Sequence, residues 1–412
     1  MKKKILFYTD CPIFGGCEKP LFEVITSDNF ASEYDFKVIF RNTKEYLEGL
    51  LLFCPSFPKS RLLGIKLLDI NSVNLYLIKK IANPLFRKIA GNFATLLSII
   101  MKPFIFIYDF LLLSILFGRN TADAIHINNG GYPGALGCRA AAVAARCAGF
   151  KKIIFSVHNT AIRSSGFVEK LMDHLVRRNV DVFVTGSKAS GLALAKNRGF
   201  DKDKITTIYH GVRASNIAVR KTFVEGGAGH EQYILMVARC EERKGHEYAL
   251  RAFKKNIVEN PEFADLKLVL IGDGPIFNNI KKLIISEQLD NNVRLMGHRN
   301  DYLDYIASSL FLINPSIGYE DLPYVILEAM SLGVPVIGTD IAGMPEEIEN
   351  GVTGIIVPPR DINALNQAML TILCDNNVRF NMGIAAKKRF YKLFTLDKMT
   401  DDYMSFYNKL TS

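Results

Sequence analysis

Two glutamates, Glu320 and Glu328, stand eight positions apart, with Asp321-Leu322-Pro323 directly after the first. Pro323 suits the first turn of a helix. That places Glu328 inside the helix near its start and Glu320 in the loop before it. A helix N-terminus offers free N–H groups and the positive end of the helix dipole, a natural seat for a diphosphate. One carboxylate can then accept from vicinal ribose hydroxyls while the other faces a sugar. Two glutamates at this spacing also occur by chance in acidic helices, so the pair gains meaning only with partners elsewhere.

Candidate partners exist. Arg239 and Lys244 lie in Val237–Gly245, VARCEERKG, just past an apolar strand. A leaving diphosphate needs cations where its charge develops, and a guanidinium fork matches phosphate. The plainer alternative is a solvated cluster with Glu241 and Glu242. In the first half, Gly15-Gly16-Cys17-Glu18 follows the first strand. Paired glycines permit close backbone approach, and their N–H groups can face an anion. His158 ends the strand IIFSVH. His126, in DAIHINN, either lines an acceptor pocket or caps its strand. Asp201-Lys202-Asp203 has the letters of a metal-binding Asp-x-Asp but sits in a polar loop, and it reads as a solvated turn. No metal site is expected.

These residues need a scaffold of strand ends. Apolar runs fall at 4–8, 36–40, 123–128, 153–158, 181–186 and 205–209. A second series falls at 233–238, 267–272, 293–297, 310–314, 335–338 and 354–357. Continuous apolar strands separated by helical stretches imply parallel sheets covered on both faces. Ligands of such sheets bind at the carboxyl ends of the strands. Between the two series, residues 213–229 end in a glycine cluster and read as a hinge. Neither first strand is followed by GxGxxG, which argues against a dinucleotide-dependent oxidoreductase. The N-terminal MKKKILFYTD reads as a buried strand rather than a signal peptide, because its apolar run ends after four residues. The seven cysteines are scattered without a CxxC pair, so neither a zinc site nor a disulfide framework is expected.

The stretch Ser316–Ile348 closely resembles the signature of the family 4 glycosyltransferases. There E-x7-E is followed by A-M-x-x-G-x-P-V-I and then a G-G- or A-G-x-x-E turn. Here these read Glu320…Glu328-Ala329-Met330, Gly333-Val334-Pro335-Val336-Ile337 and Ala342-Gly343-Met344-Pro345-Glu346, and 351–354 and 358–361 also match. The resemblance covers nearly all of the second half and landmarks in the first. It implies an α/β fold of the GT-B type, two doubly wound Rossmann-like domains with parallel sheets facing across a cleft. The division expected is 1–215, carrying an apolar and basic insertion at about 59–119, then 216–392, then a terminal helix at 393–412 that packs back on the first domain.

The resemblance also implies the chemistry: transfer of a sugar from a nucleotide-diphosphate donor, UDP- or GDP-linked, with retention and with neither metal nor cofactor. Arg239, Lys244 and Gly16 would hold the diphosphate, and Glu328 the ribose. Glu320 and His158 would act at the donor sugar, with Asp321, Leu322 and Pro323 contacting it. The loop at His298 and Arg299 would read the base through its backbone. Glu18 and His126 would lie on the acceptor side. Asp321 departs from the family pattern, which usually has glycine there, and His210-Gly211-Val212 stands for its N-G-V turn.

Charge is uneven. Residues 1–215 carry 30 Lys+Arg against 16 Asp+Glu, and the remainder 21 against 25. A basic half implies an anionic partner. Nucleic acid is not expected, because no basic–aromatic interleaving on an RRM- or OB-like sheet is visible. Ala94–Gly118 is the most apolar run, interrupted by Lys102, Pro103 and Asp109. On a helix, Thr95, Ser98, Lys102 and Asp109 fall along one narrow stripe. That predicts a segment lying in an anionic membrane interface, with Lys79, Lys80, Arg87 and Lys88 at the headgroups. A buried helical pair or a membrane span are the alternatives. The expected setting is cytoplasmic, peripheral on the inner face of the plasma membrane, with a saccharide or lipid-linked acceptor. The competing functions are another GT-B sugar-nucleotide enzyme, an epimerase or phosphorylase, and a non-enzymatic membrane-binding protein.

Overall fold

The computed structural model describes residues 2–68, 84–164, 166–214, 232–318 and 320–411. The hinge read at 213–229 and the lysines Lys79 and Lys80 fall outside them, apart from Arg213 and Ala214. The chain forms two compact units. One comprises Met1–Thr185, Ser190–Thr207 and Asp402–Ser412, the other Gly186–Ala189 and Ile208–Asp401.

The first unit is built on seven parallel strands: β1 (Lys3–Thr9), β2 (Tyr34–Arg41), β3 (Leu62–Ile65), β4 (Ala124–Asn129), β5 (Ile153–Val157), β6 (Val182–Thr185) and β7 (Ile205–Thr207). Their order is β3-β2-β1-β4-β5-β6-β7. The second unit has six: β8 (Tyr233–Val237), β9 (Lys267–Ile271), β10 (Val293–Leu295), β11 (Leu312–Asn314), β12 (Val336–Thr339) and β13 (Gly354–Val357). Their order is β10-β9-β8-β11-β12-β13. In both units the order reverses beside the first strand, the place where parallel sheets open a crevice for ligands. All twelve expected strands are present within two residues at each end. The thirteenth, β3, is a half-exposed edge, so its four residues lack the continuous apolar run of a central strand.

The helix Pro84–Gly118 decides how the first unit meets its surroundings. One face packs against the helix Leu136–Cys147, whose Ala140, Ala141, Ala142, Ala144 and Ala145 are all buried and let the long helix lie close. Phe106, Leu113 and Phe117 enter the core from it. The opposite face presents Phe93, Leu97, Ile100, Phe104, Ile107, Tyr108, Leu111 and Ile115 to solvent, a stripe at helical spacing. The polar residues do not face outward as expected. Lys102 pairs with Glu169 at 3.8 Å, and Asp109 is buried. Lys102 is paired from a neighbouring helix and Asp109 is enclosed by the protein, so the apolar side is the one left bare. Of Arg87 and Lys88 only the backbone is described.

The helix Leu396–Thr411 begins in the second unit and ends in the first. Tyr407 is fully buried among Phe7, Phe30 and Tyr34. The sequence predicted a terminal helix against the first domain.

Candidate functional site

In the second unit, β8 leads into Arg239 and a single turn, Glu242–Lys244. Gly245 follows with φ 75°, and a Cβ there would lie 2.0 Å from the carbonyl oxygen of Pro315. Only glycine combines that left-handed turn with so close an approach. The contact seats the turn on the loop after β11, where the Ile317 N–H donates to the Arg243 carbonyl at 2.7 Å. The two motifs, 76 residues apart in the chain, thereby meet. Glu320 Oε1 receives the Lys244 ammonium and, at 3.1 Å, the Arg243 guanidinium, with the Ser316 hydroxyl 3.0 Å away. The Glu320 side chain is 7% exposed and that of Lys244 14%.

Arg239, by contrast, extends into solvent and pairs with Glu241 at 2.9 Å, and Glu241 also holds Arg243 at 2.7 Å. A cluster of three cations and two carboxylates results, open on the Arg239 side. Sequence reasoning passed over Arg243, which sits at an unspecified position of R-x4-K-G.

The helix Tyr324–Leu332 is capped by Pro323 rather than containing it. Glu328 is its fifth residue, and its Oε1 accepts from the Tyr302 hydroxyl at 2.7 Å. Burial, and after it the Glu328 charge, push the Tyr302 phenol well up. The pair stays a phenol donating to a carboxylate, which fixes where the second carboxylate oxygen points.

Asp321 is buried, and its carboxylate accepts from the Gly186 N–H at 3.1 Å and from the Ser187 hydroxyl. Its backbone carbonyl takes the Gly343 N–H at 3.0 Å. The side chain where the family usually has glycine is therefore engaged with the protein. Leu322 is buried against Gly343. Glu346, of the A-G-x-x-E turn, accepts from the N–H groups of Lys188 and Ala189 and from the Tyr209 hydroxyl, at 2.7–3.0 Å. The next residue, Glu347, is fully buried with neither carboxyl oxygen bonded. Burial, then the charges of Asp321, Glu320 and Glu346, push its pKa well above the ordinary glutamate range, which favours the protonated form. His210 is buried and stacked on Tyr324, with ring centroids 5.4 Å apart. On the loop after β10, His298 meets Asn300 at 3.1 Å. Arg299 pairs with Asp301 at 2.7 Å and lies over the Tyr305 ring. Both side chains are occupied locally, which leaves backbone groups as the candidates for reading a base.

In the first unit the glycine loop runs from β1 to the helix Lys19–Ile25. Gly16 has open space where a Cβ would be. Glu18 is fully buried. It accepts from Thr9 at 2.7 Å, Tyr46 at 3.0 Å and Asn128 at 3.2 Å. Burial raises its pKa against those hydrogen bonds. The oxygen of the Asn128 amide accepts from His158 Nε2 at 2.7 Å, so that nitrogen carries the ring proton. Asn128, which the sequence did not single out, thus ties Glu18 to His158. Glu18 anchors the loop from inside rather than facing an acceptor.

His126 lies mid-strand in β4, which continues to Asn129, rather than at the strand end. It is enclosed. One ring nitrogen meets the Tyr407 hydroxyl and the other Ser156, each at 2.6 Å. Burial lowers its pKa to about 3, so it is a neutral core histidine, and the acceptor-side expectation does not hold for it.

Among the described residues one group has metal-ligating atoms within 4.8 Å of one another, Cys11, Cys17 and Glu18. The two sulfurs are 3.4 Å apart. The hydrogen bond with Cys17, then burial, push the Cys11 thiol well up. It is a thiol rather than the thiolate a soft metal requires, and Glu18 is already satisfied.

Residues 220–389 match the family described as Glycosyl transferases group 1, and residues 88–216 that described as Glycosyltransferase Family 4. The chain is 26% identical over 264 residues to N-acetyl-alpha-D-glucosaminyl L-malate synthase of Bacillus anthracis, covering 62% of this chain and 67% of that one. It is 26% identical over 283 residues to the UDP-Gal:alpha-D-GlcNAc-diphosphoundecaprenol alpha-1,3-galactosyltransferase of Escherichia coli, covering 64% and 71%. The fold matches that of Anabaena Alr3699/HepE, solved in complex with UDP, at a TM-score of 0.75 and 18% identity over 98% of this chain and 100% of that one. With both halves matched and the two parallel sheets in place, the chain belongs to the family 4 glycosyltransferases of the GT-B fold.

Proposed function

We propose that this enzyme moves a hexosyl group from a UDP- or GDP-linked sugar to a saccharide acceptor, with retention at the anomeric carbon and without a divalent metal. The observation that carries the reading is the convergence of Lys244 and Arg243 on Glu320. A leaving diphosphate acquires charge as the glycosidic bond breaks, and fixed cations in a partly dehydrated site stabilise it. Lys244, with Arg239 at the open side, takes that part and replaces a metal ion. Glu320, held by both cations, presents its other oxygen to the sugar. Glu328, oriented by Tyr302, binds the ribose. In a front-face reaction the leaving phosphate accepts the acceptor proton, so no protein base is required opposite it.

The acceptor we infer is lipid-linked, in cell-surface polysaccharide synthesis, with the enzyme peripheral on the inner face of the plasma membrane. The E. coli relative, named for a diphosphoundecaprenol acceptor, supports this, as does the bare apolar stripe of the helix Pro84–Gly118. The UDP complex of the Anabaena protein favours UDP.

The test is a screen of UDP-, GDP- and ADP-sugars for nucleotide release, with and without saccharide acceptors, reading the product anomer by NMR. Acceptor-dependent release with a retained anomer is expected. Release that never depends on acceptor would identify an epimerase instead.

A further inference from the structure

Cys11 and Cys17 stand on either side of Gly15-Gly16, in the loop that carries β1 into the helix Lys19–Ile25. Their sulfurs are 3.4 Å apart, in van der Waals contact, and both residues are partly exposed. A disulfide needs about 2.05 Å between sulfurs, so closing the bond asks for a small movement only. The surroundings hold both cysteines where they meet. Before Cys11, Thr9 donates to Glu18 at 2.7 Å and Asp10 pairs with Arg41 at 2.6 Å. At the other end the Cys17 carbonyl accepts from the Asn128 amide at 3.1 Å, and the next residue, Glu18, is fully buried. Gly130 makes room for the second sulfur, since a Cβ there would lie 3.4 Å from Cys17 Sγ. Sulfur contact and solvent access coincide at this pair, whereas Cys138 and Cys240 are buried.

We propose that Cys11 and Cys17 are a site of reversible oxidation, closing to an intramolecular disulfide that fixes the Gly15-Gly16 loop. The oxidant is a low-molecular-weight disulfide such as glutathione disulfide. The Cys11 thiol is pushed up, first by its hydrogen bond with Cys17 and then by burial, so Cys17 takes the first step. Cys17 sulfur attacks one glutathione sulfur, the glutathione S–S bond breaks, and one glutathione thiol leaves. Cys11 then attacks the Cys17 sulfur of the mixed disulfide, and the second glutathione thiol leaves. Two cysteine thiols are oxidised, one glutathione disulfide is reduced, and both protons end on the glutathione thiols.

The new ring encloses both glycines, whose use is backbone freedom. It also pulls on the Cys17 carbonyl, which Asn128 holds, and Asn128 in turn holds His158. The consequence for turnover rests on the transferase reading, in which Gly16 holds the diphosphate: oxidation lowers it.

The experiment incubates the reduced full-length protein in glutathione buffers of rising disulfide content, alkylates it and maps tryptic peptides by mass. The peptide that begins at Ile5 carries Cys11 and Cys17 and none of the other five cysteines. It should lose two hydrogens, escape alkylation and recover both on reduction with dithiothreitol. Cys11→Ser should stop at a glutathione adduct on Cys17. Amide hydrogen exchange at Gly15 and Gly16 should slow in the oxidised protein. Nucleotide release should fall roughly tenfold or more, within the range that a small misplacement of a binding group produces. The Cys11→Ser/Cys17→Ser variant should release nucleotide equally in reducing and oxidising buffer. Lasting glutathione adducts on both cysteines, pairing of either with another cysteine, or no loss of hydrogens would overturn the site. Equal turnover of the oxidised and reduced enzyme would overturn its regulatory part. The disulfide and the exchange rates are read without turnover. A protein silent in the donor screen that still forms the bond and slows exchange would therefore refute the transferase reading and leave this site standing.

Discussion

Lys244 and Arg243 both bond to the same oxygen of Glu320, Oε1, which leaves the other carboxylate oxygen outside these two ion pairs. Glu320→Gln preserves the shape and removes the charge that holds both cations. It should lower kcat more than it raises donor KM, because the carboxylate is assigned to the reacting sugar. Steady-state kinetics with saturating acceptor decide this, and an unchanged kcat would remove Glu320 from the site.

Lys244→Ala should cost about 2–4 kcal/mol of transition-state stabilisation, the scale of one lost electrostatic donor. The same assignment predicts full activity in excess EDTA. An absolute requirement for Mg²⁺ or Mn²⁺ would show that the cations do not carry the leaving group's charge alone.

Tyr302 donates to Glu328, the residue assigned to the ribose. Tyr302→Phe should raise donor KM roughly tenfold, on the scale of one hydrogen bond to a charged group, with kcat little changed. Glu328→Ala should raise it further. Equal effects of Tyr302→Phe on kcat and KM would point to general loosening of the helix instead.

Glu347 contributes a pH dependence of stability with a definite sign. Its folded pKa lies well above the unfolded value because it is buried among acids. Above the ordinary glutamate range, near 4.5, the unfolded chain releases this proton while the folded protein keeps it. The folded state then binds more protons, so stability falls as pH rises through that window. Glu347→Gln should flatten the decline in Tm between mildly acidic and neutral pH, and thermal melts across that range measure it. A parallel shift at every pH would mean that another group carries the dependence.

Flotation with liposomes tests the membrane assignment. Binding should rise with anionic lipid and fall in high salt or alkaline carbonate. Leu111→Asp on the bare stripe should abolish it while leaving the fold intact, since Leu111 is exposed. A wild-type protein that stays unbound beside anionic liposomes would refute docking, and one resisting carbonate would indicate a span.

The second unit was legible because its chemistry is local in sequence. The E-x7-E spacing and R-x4-K-G each occupy one strand end, and Gly245 reports its own backbone requirement. The first unit was less so. Periodicity revealed a polar stripe through Lys102 and Asp109 but not which side faced the protein. Glu169, the partner that turns Lys102 inward, lies 67 residues further along. His126 was read as ending its strand, but Asn128 and Asn129 continue β4. Here both are buried, and Asn128 is a link between Glu18 and His158. No pattern of residue types marks that role.

The path of the helix Leu396–Thr411 sets an order on biosynthesis. Tyr407 supplies a hydrogen-bond partner to His126 and packs against Phe7, while Tyr34 meets Asn408 at 2.5 Å. A nascent chain that has emerged only as far as β7 has all seven strands of the first sheet but not the aromatic residue that closes over β1 and β4. Domains generally fold in the order they leave the ribosome. Here the first half must wait, with part of its sheet uncovered, until nearly two hundred further residues have been translated.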